Sequence, residues 1–338
     1  MSLVVPRPPY PLHESVKDKL HPQYVHFYNR NIIDSQQVHY RPVAASRTSG
    51  VLLPGAGPSL LVAKIEDHSI ERTQSKGPKI TVRCFTPLGE RPAAGWPVMI
   101  YYHGGGWVLG DVNTENNVCT HMCNRASCVV VDVDYRLAPE NPFPAAVQDS
   151  WEAVLWTQTK GATLLSLDLS KQAIGGSSAG GNLTAAMCHR ASSAGGPTFL
   201  TQLLIVPVMD NTSLPSNNQT WRSCEFTPAL PAEKMLWYRR HYLPHQEDWV
   251  HPDASPLLSE HGWETQPPAL VVVGELDVLR AEGEAYARKL REAGVKTELH
   301  VMHGMPHPFL AMDGVLTAGA QTITYMCETL TSAFRKPA

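Results

Sequence analysis

Apolar and polar positions change rhythm twice along this chain. Up to about residue 60, Pro, His and Tyr are mixed without a sustained period, and the stretch closes on residues 50–58, Gly-Val-Leu-Leu-Pro-Gly-Ala-Gly-Pro, a run of breakers that sets it apart from the rest of the chain. Residues 79–85 alternate apolar with polar and predict a half-buried antiparallel strand, with a weaker strand at 61–65 before it. From Pro97 onward the apolar positions become continuous. Residues 98–102, 128–133, 202–206 and 269–273 are short and β-rich, as strands buried on both faces of a parallel sheet require, and 298–302 reads as the last strand. Between them, 145–157, 179–191 and 282–293 carry helical spacing, Tyr286 with Leu290 for instance, and Gly294 stands where the last of these must stop. Strand, helix, strand predicts a doubly wound, mostly parallel α/β fold with an antiparallel N-terminal part. One interval does not alternate. Residues 211–263 are rich in Pro, Trp, His and Asn with a single helical patch at 231–242, and predict an insertion lying over the C-terminal edge of the sheet.

Composition narrows the partners more than the fold. At 338 residues the chain is long enough for one large α/β domain with insertions, and a net charge of −3 gives no reason to expect nucleic acid or an anionic membrane. The first nine residues lack the apolar stretch of a signal peptide, no later window reaches membrane-spanning length, and the C-terminus matches no retention or peroxisomal address. Seven Cys is an odd number, scattered through strand-like and helix-like segments, so reduced thiols in the cytoplasm are expected.

Two glycine-rich turns carry candidate chemistry. The strand ending at Ile174 and Gly175 runs into Gly176-Ser177-Ser178-Ala179-Gly180 and then into a helix-forming stretch, which is the setting of a nucleophile elbow; Gly on both sides lets strand and helix pass closely and leaves Ser178 exposed on a strained turn. Directly after the 98–102 strand comes His103-Gly104-Gly105-Gly106-Trp107, where glycine would let backbone N–H groups approach the oxygen of a tetrahedral intermediate. Neither a P-loop Lys-Ser/Thr nor the six-residue dinucleotide pattern is present, so no cofactor is expected. Acids at Glu275 and Asp277 follow one late strand, and His303 and His307 follow the next.

In this order, the 103–107 motif, Asp134-Tyr135-Arg136-Leu137-Ala138-Pro139-Glu140 and the elbow through Asn182 resemble the hormone-sensitive-lipase family of α/β-hydrolases, which includes bacterial family IV esterases and arylacetamide deacetylases. The resemblance runs from about residue 79 to the C-terminus. It implies an α/β-hydrolase core of residues 61–210 and 264–338, with 1–60 and 211–263 forming a mainly helical cap. Asp277 fits the family's G-x-x-D-x-L pattern, with Glu275 in reserve, and His307-Pro308-Phe309 aligns with its H-G-F motif, which favours His307 over His303. The implied site is Ser178, His307 and Asp277, an oxyanion hole of Gly105, Gly106 and Ala179, and motif support from His103, Gly104, Trp107, Gly176 and Gly180. Ser177 stands where the family most often has Asp, Val278 replaces a common Pro, and Pro308 the Gly of H-G-F. The implied activity is that of a serine carboxylesterase or deacetylase on small to medium, largely apolar esters, the protein being a monomer or homodimer. The same triad could instead transfer or cyclise an acyl group, and the plant gibberellin receptors resemble the family as non-catalytic binders that lose the catalytic His, which is present here.

Several residues are read as structural. Asp134 to Glu140 is expected to tie its loop to the 103–107 loop. His300, His303 and His307, and Cys119, His121 and Cys123, lack the further ligands a metal needs, so no metal is expected. Of the aromatics Tyr24, Phe27, Tyr28, Trp221, Phe226, Trp237, Tyr238 and Tyr242, most are expected to pack within the cap and one or two to face the pocket.

Overall fold

The computed structural model describes residues 5–47 and 54–335; positions 50–53 of the breaker loop, and parts of the two termini, lie outside the described residues. Eight strands form one sheet: β1 (Lys64–Ile70), β2 (Ile80–Thr86), β3 (Trp96–Tyr102), β4 (Val129–Asp134), β5 (Leu167–Ser177), β6 (Thr201–Ile205), β7 (Ala269–Gly274) and β8 (Thr297–Met302). Their order is β1-β2-β4-β3-β5-β6-β7-β8. β1 and β2 run antiparallel to their neighbours, and every pair from β4 to β8 is parallel. The weak strand expected at 61–65 lies a few residues later, because pairing of Ile70 with Ile80 and Lys64 with Thr86 sets its register on an edge that leaves most of it open to water.

The continuous apolar runs became the interior strands: every residue of β3, β6 and β7 is buried. Alternate side chains of β3 serve opposite faces, Val98, Ile100 and Tyr102 on one and Met99 and Tyr101 on the other. The helices are α1 (Pro22–Asn31), α2 (Val43–Arg47), α3 (Asn116–Ala126), α4 (Ala145–Gln158), α5 (Lys160–Leu165), α6 (Ala179–Ala194), α7 (Gln219–Ser223), α8 (Ala232–Tyr242), α9 (Arg280–Glu292) and α10 (Thr317–Arg335). α4 and α6 cover the Ile100 face, and α3 and α10 the Tyr101 face. Among the described residues no helix is long and apolar enough to cross a membrane.

The insertion between β6 and β7 supplies α7 and α8. From α8, Tyr242 stacks on Trp107 with ring centres 4.3 Å apart and planes 9° apart, a contact of about 1 kcal/mol beyond the area it buries. Two of the attachments of the N-terminal segment reach loops that follow strands. Tyr24, Phe27 and Tyr28 of α1 join the apolar cluster of Met305 and Phe309, and His21 N–H donates to the Gly304 carbonyl at 2.9 Å, so α1 braces the loop after β8. α2 reaches the 103–107 loop instead, through Arg47.

Candidate active site

Ser178 sits where β5 turns into α6, at φ 55° and ψ −115°, a strained conformation for a residue with a side chain. Its N–H donates to the Ile205 carbonyl at 2.8 Å, which holds the turn against β6. The turn is this tight because its flanks have no side chains. A Cβ on Gly176 would lie 2.5 Å from both the Gly180 carbonyl and Tyr102 O, so α6 could not start where it does. Ala179, the first residue of α6, is buried beside Ser178.

The loop after β3 is fixed from three directions. Within it, His103 Nδ1 donates to Gly104 O at 2.7 Å; burial pushes the imidazole pKa down to about 4, so the ring stays neutral. Tyr135 stacks on His103 at 4.4 Å and its hydroxyl donates to the His103 carbonyl at 2.8 Å, while Ala138 N–H donates to Trp107 O at 2.8 Å. Arg47 of α2 donates to Val108 O at 2.8 Å and Ala138 O at 2.5 Å and pairs with Glu140 at 2.9 Å, so one guanidinium spans both loops. Arg136 grips Asp149 of α4 through two nitrogens at 2.8 and 2.9 Å. The 134–140 motif thus braces the 103–107 loop. Gly105 and Gly106 hold φ of 125° and 62°, and a Cβ on Gly106 would run into the Tyr238 ring of α8.

The loops after β7 and β8 bring acids to histidines. His307 Nδ1 lies 2.8 Å from Asp277 Oδ2, both side chains buried, and Asp277 Oδ1 accepts the Leu279 N–H at 3.0 Å. With Nδ1–H donated to the carboxylate, Nε2 is left as the acceptor. Glu275 Oε2 instead accepts the Gly304 N–H at 2.7 Å and meets His303 at 3.5 Å near the surface. His300 pairs with Glu298 at 2.8 Å, so the three histidines engage three different carboxylates. Cys119 and Cys123 are buried in α3, and burial pushes the Cys123 thiol up to about 12.

Ser178 and His307 open on one cavity of about 410 Å³. Gly104 to Gly106 and Leu109 line it from the core; Val38, Leu230, Met235 and Tyr238 line it from the N-terminal segment and the insertion. Lys234 also lines it, donating to Ala229 O at 2.7 Å, its amine pushed down to about 8 by burial. Tyr238 is thus a pocket-facing aromatic. Trp221 lies buried under the Arg239 guanidinium, Trp237 packs on Tyr238, and Phe226 is exposed. Sequence reasoning missed Glu115, a buried carboxylate on this cavity bonded to Ser177 Oγ at 2.6 Å across 62 residues of chain. No spacing rule links the start of α3 to the elbow, so only the folded chain makes that pair visible.

The sheet order and the Ser178 elbow define an α/β-hydrolase. A model of the family described as the alpha/beta hydrolase fold matches residues 99–311. An AB hydrolase superfamily protein of Schizosaccharomyces pombe is 47% identical over 316 residues, 91% of this chain and 92% of that protein. Carboxylesterase NlhH of Mycobacterium tuberculosis is 37% identical over 245 residues, 72% of this chain and 75% of its own length. Among solved structures, an esterase of Pyrobaculum calidifontis superposes with a TM-score of 0.81 at 32% identity, covering 93% of this chain and 98% of that one. An α/β-hydrolase enzyme from the metagenome of Lake Arreo gives 0.85 at 29%, covering 95% and 100%. The chain belongs to the α/β-hydrolase family, in the hormone-sensitive-lipase group that its motifs resemble.

Proposed function

We propose that this protein is a serine carboxylesterase in which Ser178 is the nucleophile, His307 the general base and Asp277 the acid that orients it. The observation that carries the reading is the shared cavity: Ser178 and His307 face the same space, and His307 turns its other nitrogen to Asp277 at 2.8 Å. His307 Nε2 takes the Ser178 hydroxyl proton as Oγ attacks the ester carbonyl carbon. The N–H groups of Gly105, Gly106 and Ala179 stabilise the oxygen that becomes negative. The imidazolium gives its proton to the departing alcohol, leaving an acyl-enzyme; water, deprotonated by His307, then attacks the acyl carbon and releases the acid. The lining of Val38, Leu109, Leu230, Met235 and Tyr238 in about 410 Å³ favours small to medium, largely apolar esters.

Residues 61–210 and 264–338 act in this reading as the catalytic core, and 1–60 and 211–263 as the cap that sets substrate size. Seven buried, unpaired cysteines favour a reducing, cytoplasmic setting for a monomer or homodimer. The test is hydrolysis of p-nitrophenyl esters from acetate to palmitate by wild type and Ser178→Ala side by side. Fast release by wild type alone, peaking at short chains, supports the reading; wild type no faster than the variant on every ester overturns it.

A further inference from the structure

We propose that Glu115 is a positioning residue of this site, a second carboxylate that fastens the oxyanion loop to the nucleophile elbow; the proposal rests on Ser178 being the nucleophile. Glu115 precedes the first turn of α3 and is 5% exposed, yet it lines the cavity that Ser178 and His307 share. Its Oε1 accepts the Ser177 hydroxyl at 2.6 Å and its Oε2 the Tyr101 hydroxyl at 2.9 Å. Ser177 is the residue before Ser178, and Tyr101 lies at the end of the strand that runs into the 103–107 loop. One side chain therefore ties the elbow to the root of the oxyanion loop.

The identity of residue 177 matters to this arrangement. A carboxylate at 177 would face the Glu115 carboxylate at hydrogen-bond distance, and the two like charges would repel. A serine donates to it instead. The fit is close, since a Cβ on Gly104 would come within 2.7 Å of Ser177 Oγ and 3.6 Å of Glu115 Oε1. Burial raises the Glu115 pKa, and the Ser177 and Tyr101 hydroxyls work against that rise. The ionisable groups that bear on it or feel it are Tyr101 on β3, Asp132 on β4, Tyr135 just beyond, Cys119 on α3 and His307. Arg83 lies beyond them, acting on Asp132 and Cys119.

The test is the rate at which a fluorophosphonate, losing fluoride, is captured by Ser178, followed by intact mass over a series of probe concentrations for wild type, Glu115→Gln, Glu115→Ala and the Ser178→Ala blank, with thermal melts alongside. We expect Glu115→Gln to label about fivefold more slowly, the loss of one charge-assisted hydrogen bond. Glu115→Ala should label about a hundredfold more slowly, as the loop and elbow lose their common anchor. In both, the loss falls on the maximal labelling rate rather than on the half-saturating probe concentration, because the apolar cavity lining is unchanged while loop and elbow shift against each other. Loss of packing alone would lower the melting temperature and leave the maximal labelling rate of the folded enzyme in place. If Glu115→Ala does not fold, Glu115→Gln decides. A folded Glu115→Gln that labels at the wild-type rate overturns the proposal and leaves the hydrolase reading standing; a wild type that labels no faster than Ser178→Ala sinks both.

Discussion

The loops after β7 and β8 bring an acid to a histidine twice, and the two pairs differ in little but water. Glu275 and His303 approach to 3.5 Å with side chains 39% and 87% exposed; Asp277 and His307 approach to 2.8 Å with side chains 1% and 6% exposed. Both pairs join an acid of one loop to an imidazole of the other. In the outer pair solvent screens the attraction and two mobile side chains must be held still for it, so it contributes little. In the inner pair the low dielectric strengthens the hydrogen bond and fixes the ring. Glu275 is better used on the main chain, where its bond to the Gly304 N–H holds the loop that carries His307. An acid and a histidine in reach at the surface leave the ring free to turn; burying them together fixes it, as the roles proposed for Asp277 and His307 require.

That contrast can be broken most severely at its inner end. Ser178→Ala or His307→Ala should lower kcat by about 10⁵ to 10⁶. Asp277→Asn should cost about 10⁴ with KM little changed, since the ring keeps its place but presents the wrong tautomer. Steady-state kinetics on a short-chain p-nitrophenyl ester checks all three, and an Asp277→Asn enzyme within tenfold of wild type would place the acid elsewhere. Glu275→Gln weakens a charge-assisted bond to backbone and should reduce stability by about 1 kcal/mol, read from urea unfolding, with kcat within about threefold. His303→Ala should do least, within about 0.5 kcal/mol and with unchanged kinetics. Salt sharpens the same difference. Raising ionic strength from about 0.05 to 0.5 M should erase any coupling measured between Glu275 and His303 in a double-mutant cycle while leaving the catalytic rate of the inner pair in place.

The interior strands were legible because continuous apolar runs have few other homes, and the 103–107 and 176–180 turns because glycine there answers a local steric demand. β5 shows where that stops. Its head carries Asp168, Ser170 and Lys171, and its pairing with β3 slips between Trp96 and Val98, so no apolar run marks the strand before Gln172. α10 escaped notice for a different reason. Thr317, Thr322, Thr324, Thr329 and Thr331 are weak helix formers, and the helix is held by the face that buries Ile323, Met326, Leu330 and Phe334 rather than by its own preference. The pairing of His307 with Asp277 followed from motif order, whereas Glu115 could not, because its partners Ser177 and Tyr101 lie 62 and 14 residues away and meet only in the assembled sheet.

Arg47 has a bearing on how such proteins are recognised. It lies outside each stretch that identifies the family, yet its guanidinium joins two of them by holding Val108 O, Ala138 O and Glu140 at once. A shortened product that began after residue 47, whether from an alternative start or a protease, would keep every signature by which a motif search finds an enzyme. It would lack one of the clasps that keep two of those signatures together, retaining the direct bonds of Tyr135 and Ala138 to His103 and Trp107, and a catalogue built on motifs would count it the equal of the full chain.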